Sequence, residues 1–326
     1  MLAIVCPGQG SQTPGMLAPW LDVAGVPGRV AAFSEASGLD LRSHGVDSDA
    51  EAIRDTAVAQ PLIVAMSLIA LRAILDGQDA AQVAGATAGH SVGELAAAAV
   101  AGVLTDEDAV SLVTVRASLM AQAAAAEPTG MSAVVGGDPE QVLAAIAQAG
   151  LWPANVNGGG QVVAAGSLEG LAALAAEPPA RARVIPLQVA GAFHTPFMQS
   201  ALDGFAPVAA ARPADDPRMV LLSDADGAAY GDLPGEHGRF GAAADVLDRI
   251  AQQIVAPVRW DLCQETLLRV GVTGLLELAP GGVLTGLARR TLPGVETVAV
   301  KSPTDIQAAR DLIARHAAPL SQETPS

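Results

Sequence analysis

The sequence is short of basic charge, and of lysine above all. Eighteen arginines and lysines face 34 acidic residues, the formal net charge is −16, and the single lysine is Lys301. With a pI near 4.5, the chain lacks the basic patch that phosphate backbones require, which argues against a nucleic-acid partner. Cysteine is scarce too. Cys6 and Cys263 make no disulfide framework, and their apolar neighbours place them in the core. The five histidines, His44, His90, His194, His237 and His316, show no metal-ligand spacing, so no metal is expected. Long hydrophobic runs are missing. The longest, "PLIVAMSLIALRAIL" from Pro61 to Leu75, is interrupted by Arg72; it is too short to cross a bilayer and fits a buried helix. The opening "MLAIVCPGQGSQ" has no basic n-region and meets Pro7 and Gly8 at once, unlike a signal peptide. The expectation is a soluble cytoplasmic protein with no membrane contact.

What is abundant is apolar. Hydrophobic residues make up 51% of 326, enough for a sizeable core. "LAIVCP" reads as a short buried strand entering the turn "GQGSQ". "DTAVAQPLIVAMSLIALRAIL" reads as a helix capped by Asp55 or Thr56. "AQVAGATAG" reads as a weak strand, and "ELAAAAVAGVL" and "TDEDAVSLVTVRASLMAQAAAA" as helices. Such alternation predicts an α/β domain with a largely parallel sheet. "AEPTG", Ala126 to Gly130, breaks the pattern. The order then becomes β-α-β-β-α-β, the ferredoxin-like series, over about 128–190. The expected architecture is therefore a large α/β-hydrolase-like catalytic part from 1–127 and 191–326, with a small inserted ferredoxin-like α+β subdomain at 128–190. The polar tail "SQETPS" is expected to be disordered.

Gly89-His90-Ser91-Val92-Gly93 fits G-x-S-x-G. Its glycines let a strand turn sharply into a helix and expose the serine hydroxyl, with the helix N-terminus aimed at a developing oxyanion. On this pattern alone, a nucleophile and a structural Gly-Ser turn are equally open. A serine nucleophile needs a base. His90 is adjacent, and neighbouring side chains on such a corner diverge. His44, His237 and His316 lie in polar segments and read as surface residues. His194, in "VAGAFHTPFM", follows a strand and precedes a helix start, where catalytic residues collect in open α/β sheets; a histidine satisfied by backbone is the competing reading. Arg116, among valine and leucine in "SLVTVRASLM", is either a snorkelling residue or a fork for a substrate carboxylate. "PGQGSQ" has the spacing of neither a dinucleotide loop nor a phosphate loop.

Taken together, these motifs resemble the malonyl-CoA:acyl carrier protein transacylases, in order and nearly end to end. They are "PGQGSQ" at Pro7–Gln12, "QP" at Gln60–Pro61, "GHSVGE" at Gly89–Glu94, Arg116 with Met120, "GAFHTPFM" at Gly191–Met198, "QIVAPVRW" at Gln253–Trp260 and "ELAPGGVLTGL" at Glu277–Leu287. The resemblance implies a transfer of malonyl from malonyl-CoA to the phosphopantetheine thiol of an acyl carrier protein, feeding fatty-acid synthesis, with no cofactor. It implies Ser91 as nucleophile, His194 as base and the main-chain carbonyl of Gln253 as the group orienting the histidine. It implies an oxyanion hole from the backbone N–H groups of Gln9 and Val92, and Arg116 as the malonyl-carboxylate fork. Met120, Gln60 and Asn157 are carried over as pocket residues. Phe193 before His194 resembles the malonyl-selective pattern and would crowd a 2-methyl branch. Ala256 departs from the asparagine of many relatives, in the loop beside the histidine. Arg181, Arg183, Arg289 and Arg290 are candidates for docking the acidic carrier. A monomer is expected. A polyketide-loading or malonate-decarboxylase acyltransferase, or a serine thioesterase, would share much of this pattern.

Overall fold

The structure is a computed structural model that describes residues 1–233 and 239–317; His237 and the tail "SQETPS" lie outside the described residues. Nine strands are described: β1 (Leu2–Cys6), β2 (Ala86–Gly89), β3 (Thr129–Gly136), β4 (Trp152–Gly158), β5 (Gln161–Ser167), β6 (Ala182–Pro186), β7 (Val220–Leu222), β8 (Gly274–Glu277) and β9 (Glu296–Ala299). They form a five-stranded sheet in the order β7-β2-β1-β8-β9 and a four-stranded sheet in the order β4-β5-β3-β6.

Every pairing in the larger sheet is parallel. β1, β2, β7 and β8 are buried along their whole length, as expected of apolar or small-residue runs covered by helices on both faces. The register pairs Cys6 with Gly89, so two central strands end level and open into neighbouring loops, the place where such sheets bind ligands. The all-buried Gly93–Val100 helix follows β2; its four alanines let it lie close to β1 and β2. Behind it pack the Thr56–Leu75 and Asp106–Ala126 helices, capped by the side chains of Asp55 and Thr105. Both are long and apolar enough to cross a membrane by length and composition, and 83% and 50% of their apolar windows are buried in this core. The first of them therefore begins well before the Pro61–Leu75 run, at the Asp55 cap. "AQVAGATAG" differs from its reading as one strand. Asp79 caps a single helical turn, Ala80–Val83, before β2 begins at Ala86; residues this small have weak strand preference.

In the smaller sheet every pairing is antiparallel. The period of two sorts its side chains. Val134, Val162 and Ala164 pack under the Pro139–Gln148 and Leu168–Ala176 helices with Ile146 and Leu174. Met131, Ala133 and Val163 face the opposite way and line a cavity between the two sheets. β4 is tied to the larger part by backbone bonds, Val156 N–H to Val258 O at 2.8 Å and Val258 N–H to Ala154 O at 2.9 Å. Val258 follows closely on Gln253, so the small sheet braces the loop that enters the site.

Candidate active site

The end of β2 shows why the serine motif needs its glycines. A Cβ on Gly89 would stand 2.0 Å from the Gly93 carbonyl carbon, and one on Gly93 would stand 2.3 Å from Cys6 O. Between them Ser91 adopts φ +54°, a left-handed conformation that costs a non-glycine residue about 1–3 kcal/mol and must be held by its surroundings. The corner throws the Ser91 hydroxyl outward at the start of the Gly93–Val100 helix, into a cavity of about 320 Å³.

His194 reaches the hydroxyl from the loop before the Gln199–Ala210 helix. It too has positive φ, +61°, and the loop is pinned by Thr129 Oγ1 accepting from Ala192 N–H at 2.9 Å and by Thr195 Oγ1 donating to Ala192 O at 2.6 Å. His194 Nε2 lies 2.8 Å from Ser91 Oγ, and Nδ1 lies 3.0 Å from the carbonyl oxygen of Gln253. A carbonyl can only accept, so Nδ1 carries the proton and Nε2 offers its lone pair to the serine O–H. Burial, reinforced by the Arg116 charge, pushes the His194 pKa down to about 3, so the imidazole is in its neutral, proton-accepting form at physiological pH.

Arg116 is 1% exposed. Nη1 donates to Gln60 Oε1 at 2.7 Å, and Nη2 donates to Gln253 Oε1 at 3.0 Å and, at a longer 3.4 Å, to Ser91 Oγ. Among the described residues no carboxylate is within ion-pair distance of it. Burial lowers its pKa to about 10, which still leaves a cation at neutral pH. A buried guanidinium whose contacts are amide and hydroxyl oxygens is one whose natural partner, an anion, can arrive from outside. The donation to Gln253 also fixes that amide, whose Nε2 donates to Asp224 Oδ2 at 3.4 Å and stands 3.1 Å from His194 Nδ1.

Three comparisons bear on this geometry. The family model of the acyl transferase domain matches residues 3–300. The curated malonyl CoA-acyl carrier protein transacylase of Mycobacterium tuberculosis is 50% identical over 317 residues, covering 96% of this chain and all of that one. The chain belongs to the malonyl CoA-acyl carrier protein transacylases. The family member of Escherichia coli is 33% identical over 95% of this chain and 99% of its own. A crystal structure of MCAT from Mycobacterium tuberculosis superposes with a TM-score of 0.86 at 50% identity, over 95% of this chain and 99% of that one. A structure of a type II PKS acyl-carrier protein in complex with its malonyl-transacylase gives a TM-score of 0.82 at 29% identity, over 95% and 99% of the two chains.

The remaining residues expected at the site of this family member fall around the same cavity, with differences. Gln9, Gln60, Met120, Phe193 and Asn157 line it; Arg116 does not, and sits behind Gln60 and Ser91. Gln60 Nε2 also meets Met120 Sδ at 3.6 Å. The backbone N–H groups of Gln9 and Val92 have no protein acceptor among the described residues, which leaves both free for a ligand oxygen. Asn157 points its Oδ1 at His90 Nε2, 2.9 Å away, so it braces the histidine beside the nucleophile. Ala256 N–H donates to Gln253 O at 3.2 Å, and the turn that orients His194 closes without an asparagine there. Arg181, Arg183, Arg289 and Arg290 are all exposed. Arg290 packs beside Gly159, on the turn between β4 and β5. Two acids were missed from sequence. Asp224 and Glu94 are buried directly beneath Ser91. The signal for Asp224 was its place just past β7, the same strand-end logic that singled out His194.

Proposed function

We propose that this enzyme moves a malonyl group from malonyl-CoA to the phosphopantetheine thiol of an acyl carrier protein through an ester on Ser91. The observation that carries the reading is the contact of Ser91 Oγ with both His194 Nε2 and the Arg116 guanidinium: a nucleophile, its base and an anion fork within one side chain's reach. Ser91 Oγ attacks the thioester carbonyl while His194 Nε2 takes its proton. The N–H groups of Gln9 and Val92 receive the oxyanion, where one lost donor costs on the order of 3 kcal/mol. The C–S bond breaks, His194 returns the proton to the departing coenzyme A thiolate, and malonyl-Ser91 remains. The carrier thiol repeats the sequence with its own proton passing through His194. The steps use no cofactor.

Arg116 gives the choice of acyl group. To pair with the malonyl carboxylate at two points, it must release an amide oxygen, and Gln60 is the one on the cavity wall, able to swing aside. An acyl group without a carboxylate would leave Arg116 only the neutral oxygens of Gln60, Gln253 and Ser91 as partners. Phe193 crowds the carbon next to the thioester, so malonyl is preferred to methylmalonyl; equal kcat/KM for the two CoA esters would refute this. The chain divides into a part that carries the chemistry, 1–127 with 191–326, and a part, 128–190, that forms the wall against which the pantetheine arm lies. One chain contains every group invoked, so it works as a monomer, and the cytoplasm supplies both substrates.

The test is intact mass after mixing the protein with malonyl-CoA alone. A malonyl adduct mapped to Ser91, absent in Ser91→Ala and discharged by a carrier protein with a free pantetheine thiol, is the expected result. Steady release of free malonate with no adduct would make the protein a hydrolase instead.

A further inference from the structure

Two buried carboxyl groups under the nucleophile take no part in the steps above. Asp224 is 0% exposed and Glu94 is 3% exposed. Leu222 pairs with Ala88 in the parallel register of β7 and β2, so Asp224, two residues on, stands level with the Ser91 corner. Its Oδ2 accepts the Ser91 backbone N–H at 2.6 Å. Glu94, on the first turn of the following helix, accepts the Asp224 N–H through Oε1 at 3.0 Å. The bonds close a loop: β7 holds the corner, and the helix that leaves the corner holds β7.

We propose that Asp224, braced by Glu94, is a positioning residue that holds the Ser91 corner for attack. The corner needs an outside anchor because Ser91 has left-handed backbone and its N–H precedes the helix, where no intrahelical acceptor exists. A carboxylate makes a stronger anchor than a carbonyl would. Asp224 is not a displaced triad acid, since His194 Nδ1 is held by Gln253 O, and Asp224 Oδ2 accepts the Ser91 N–H and, at a longer 3.4 Å, the Gln253 Nε2 amide. Asp224 Oδ1 and Glu94 Oε2 each lack a hydrogen-bond partner. Burial, then the Asp224 charge, drives the Glu94 pKa well up, so Glu94 is the member of the pair that holds a proton. The Asp224 carboxylate acts on Arg116 as a buried counter-charge from behind the site, where it takes none of the guanidinium donors.

The inference rests on Ser91 being the nucleophile, and the experiment separates the two claims. Single-turnover formation of the malonyl-Ser91 adduct is followed by intact mass in the wild type, Asp224→Ala and Asp224→Asn, with KM for malonyl-CoA measured alongside. Asp224→Ala should slow acylation about tenfold or more through a misplaced oxygen, with KM within about twofold. Asp224→Asn retains a carbonyl oxygen for the Ser91 N–H and should recover most of the rate, to within about threefold of wild type. If Asp224→Ala does not fold, Asp224→Leu, apolar and without an acceptor, replaces it. Wild-type acylation rates in the Ala or Leu variant, or an Asn variant no faster than they are, would overturn the positioning role while leaving the nucleophile intact. No adduct in the wild type would overturn both.

Discussion

The two sheets handle apolar surface in opposite ways. The parallel sheet is covered on both faces, and its central strands expose nothing. The antiparallel sheet has one face under helices and the other open to the cavity. Of the seven exposed large hydrophobic residues described, five, Leu143, Trp152, Leu168, Ile185 and Leu187, belong to the smaller part. The difference separates two roles. Covalent chemistry needs desolvated groups held to fractions of an ångström, and in the proposed reading the larger part supplies them: Ser91 and Asp224 sit just past ends of its parallel strands, Arg116 on a core helix and His194 on the buried loop before the Gln199–Ala210 helix. Contact with a long substrate arm and a protein partner needs accessible surface, which the proposed reading assigns to the smaller part with its neighbouring arginines.

Substitutions put this contrast to the test. The largest effect belongs to the parallel part. Ser91→Ala should abolish the malonyl adduct, and His194→Ala should lower kcat by about 10³-fold or more, read by transfer to a carrier protein; a comparable loss from any substitution confined to residues 128–190 would end the division of labour. Arg116→Ala should cost about 3–5 kcal/mol in kcat/KM for malonyl-CoA and raise acetyl-CoA turnover relative to malonyl-CoA, since acetyl no longer strands a buried cation. Competition between the two esters checks it. Arg290→Glu, on the exposed rim, should raise the carrier-protein KM by up to about tenfold, more at low salt, because rim charges act chiefly on encounter. Its rate of Ser91 acylation by malonyl-CoA should not change.

The pH profile tests the desolvation of the chemical half. A free imidazole titrates near 6.5, whereas His194 in the fold is held at about 3. Lowering the pH from 8 to 5 therefore leaves the base form in place, and acylation should fall less than about twofold through His194. An inflection near 7 that vanishes in Asp224→Asn would belong to the buried acid pair; one near 6.5 that persists there would mean His194 is solvated. Least of all, Leu168→Ser in the smaller part should change stability by no more than about 0.5 kcal/mol, read by thermal melting, because that side chain is 56% exposed.

How much of this the sequence carried depends on how local each feature is. Ser91 and His194 were legible because glycine spacing and strand-to-helix turns leave local marks. Arg116 was legible as an anomaly, a full charge among valines. Asp224 was not: its role comes from β7 lying beside β2, and strand order is a property of the tertiary fold that no short window contains. The same limit hid the occupancy of Arg116 by Gln60 and Gln253, which are 56 and 137 residues away. The period-two pattern of β3 and β5 gave the small sheet its two faces, but which face meets the cavity is decided by how β4 docks on Val258.

Cys6 and Cys263 have a practical consequence. Both are 0% exposed, and burial pushes both thiols up, so neither offers a thiolate to a reagent in the folded state. Cys6 ends the middle strand of the parallel sheet, and Cys263 lies in the Trp260–Arg269 helix packed against it. Alkylation of either can proceed only when the molecule opens. The protein therefore carries its own stopwatch for unfolding, and any cysteine placed on its surface would be the one fast-reacting handle for a dye or a pantetheine cross-linker.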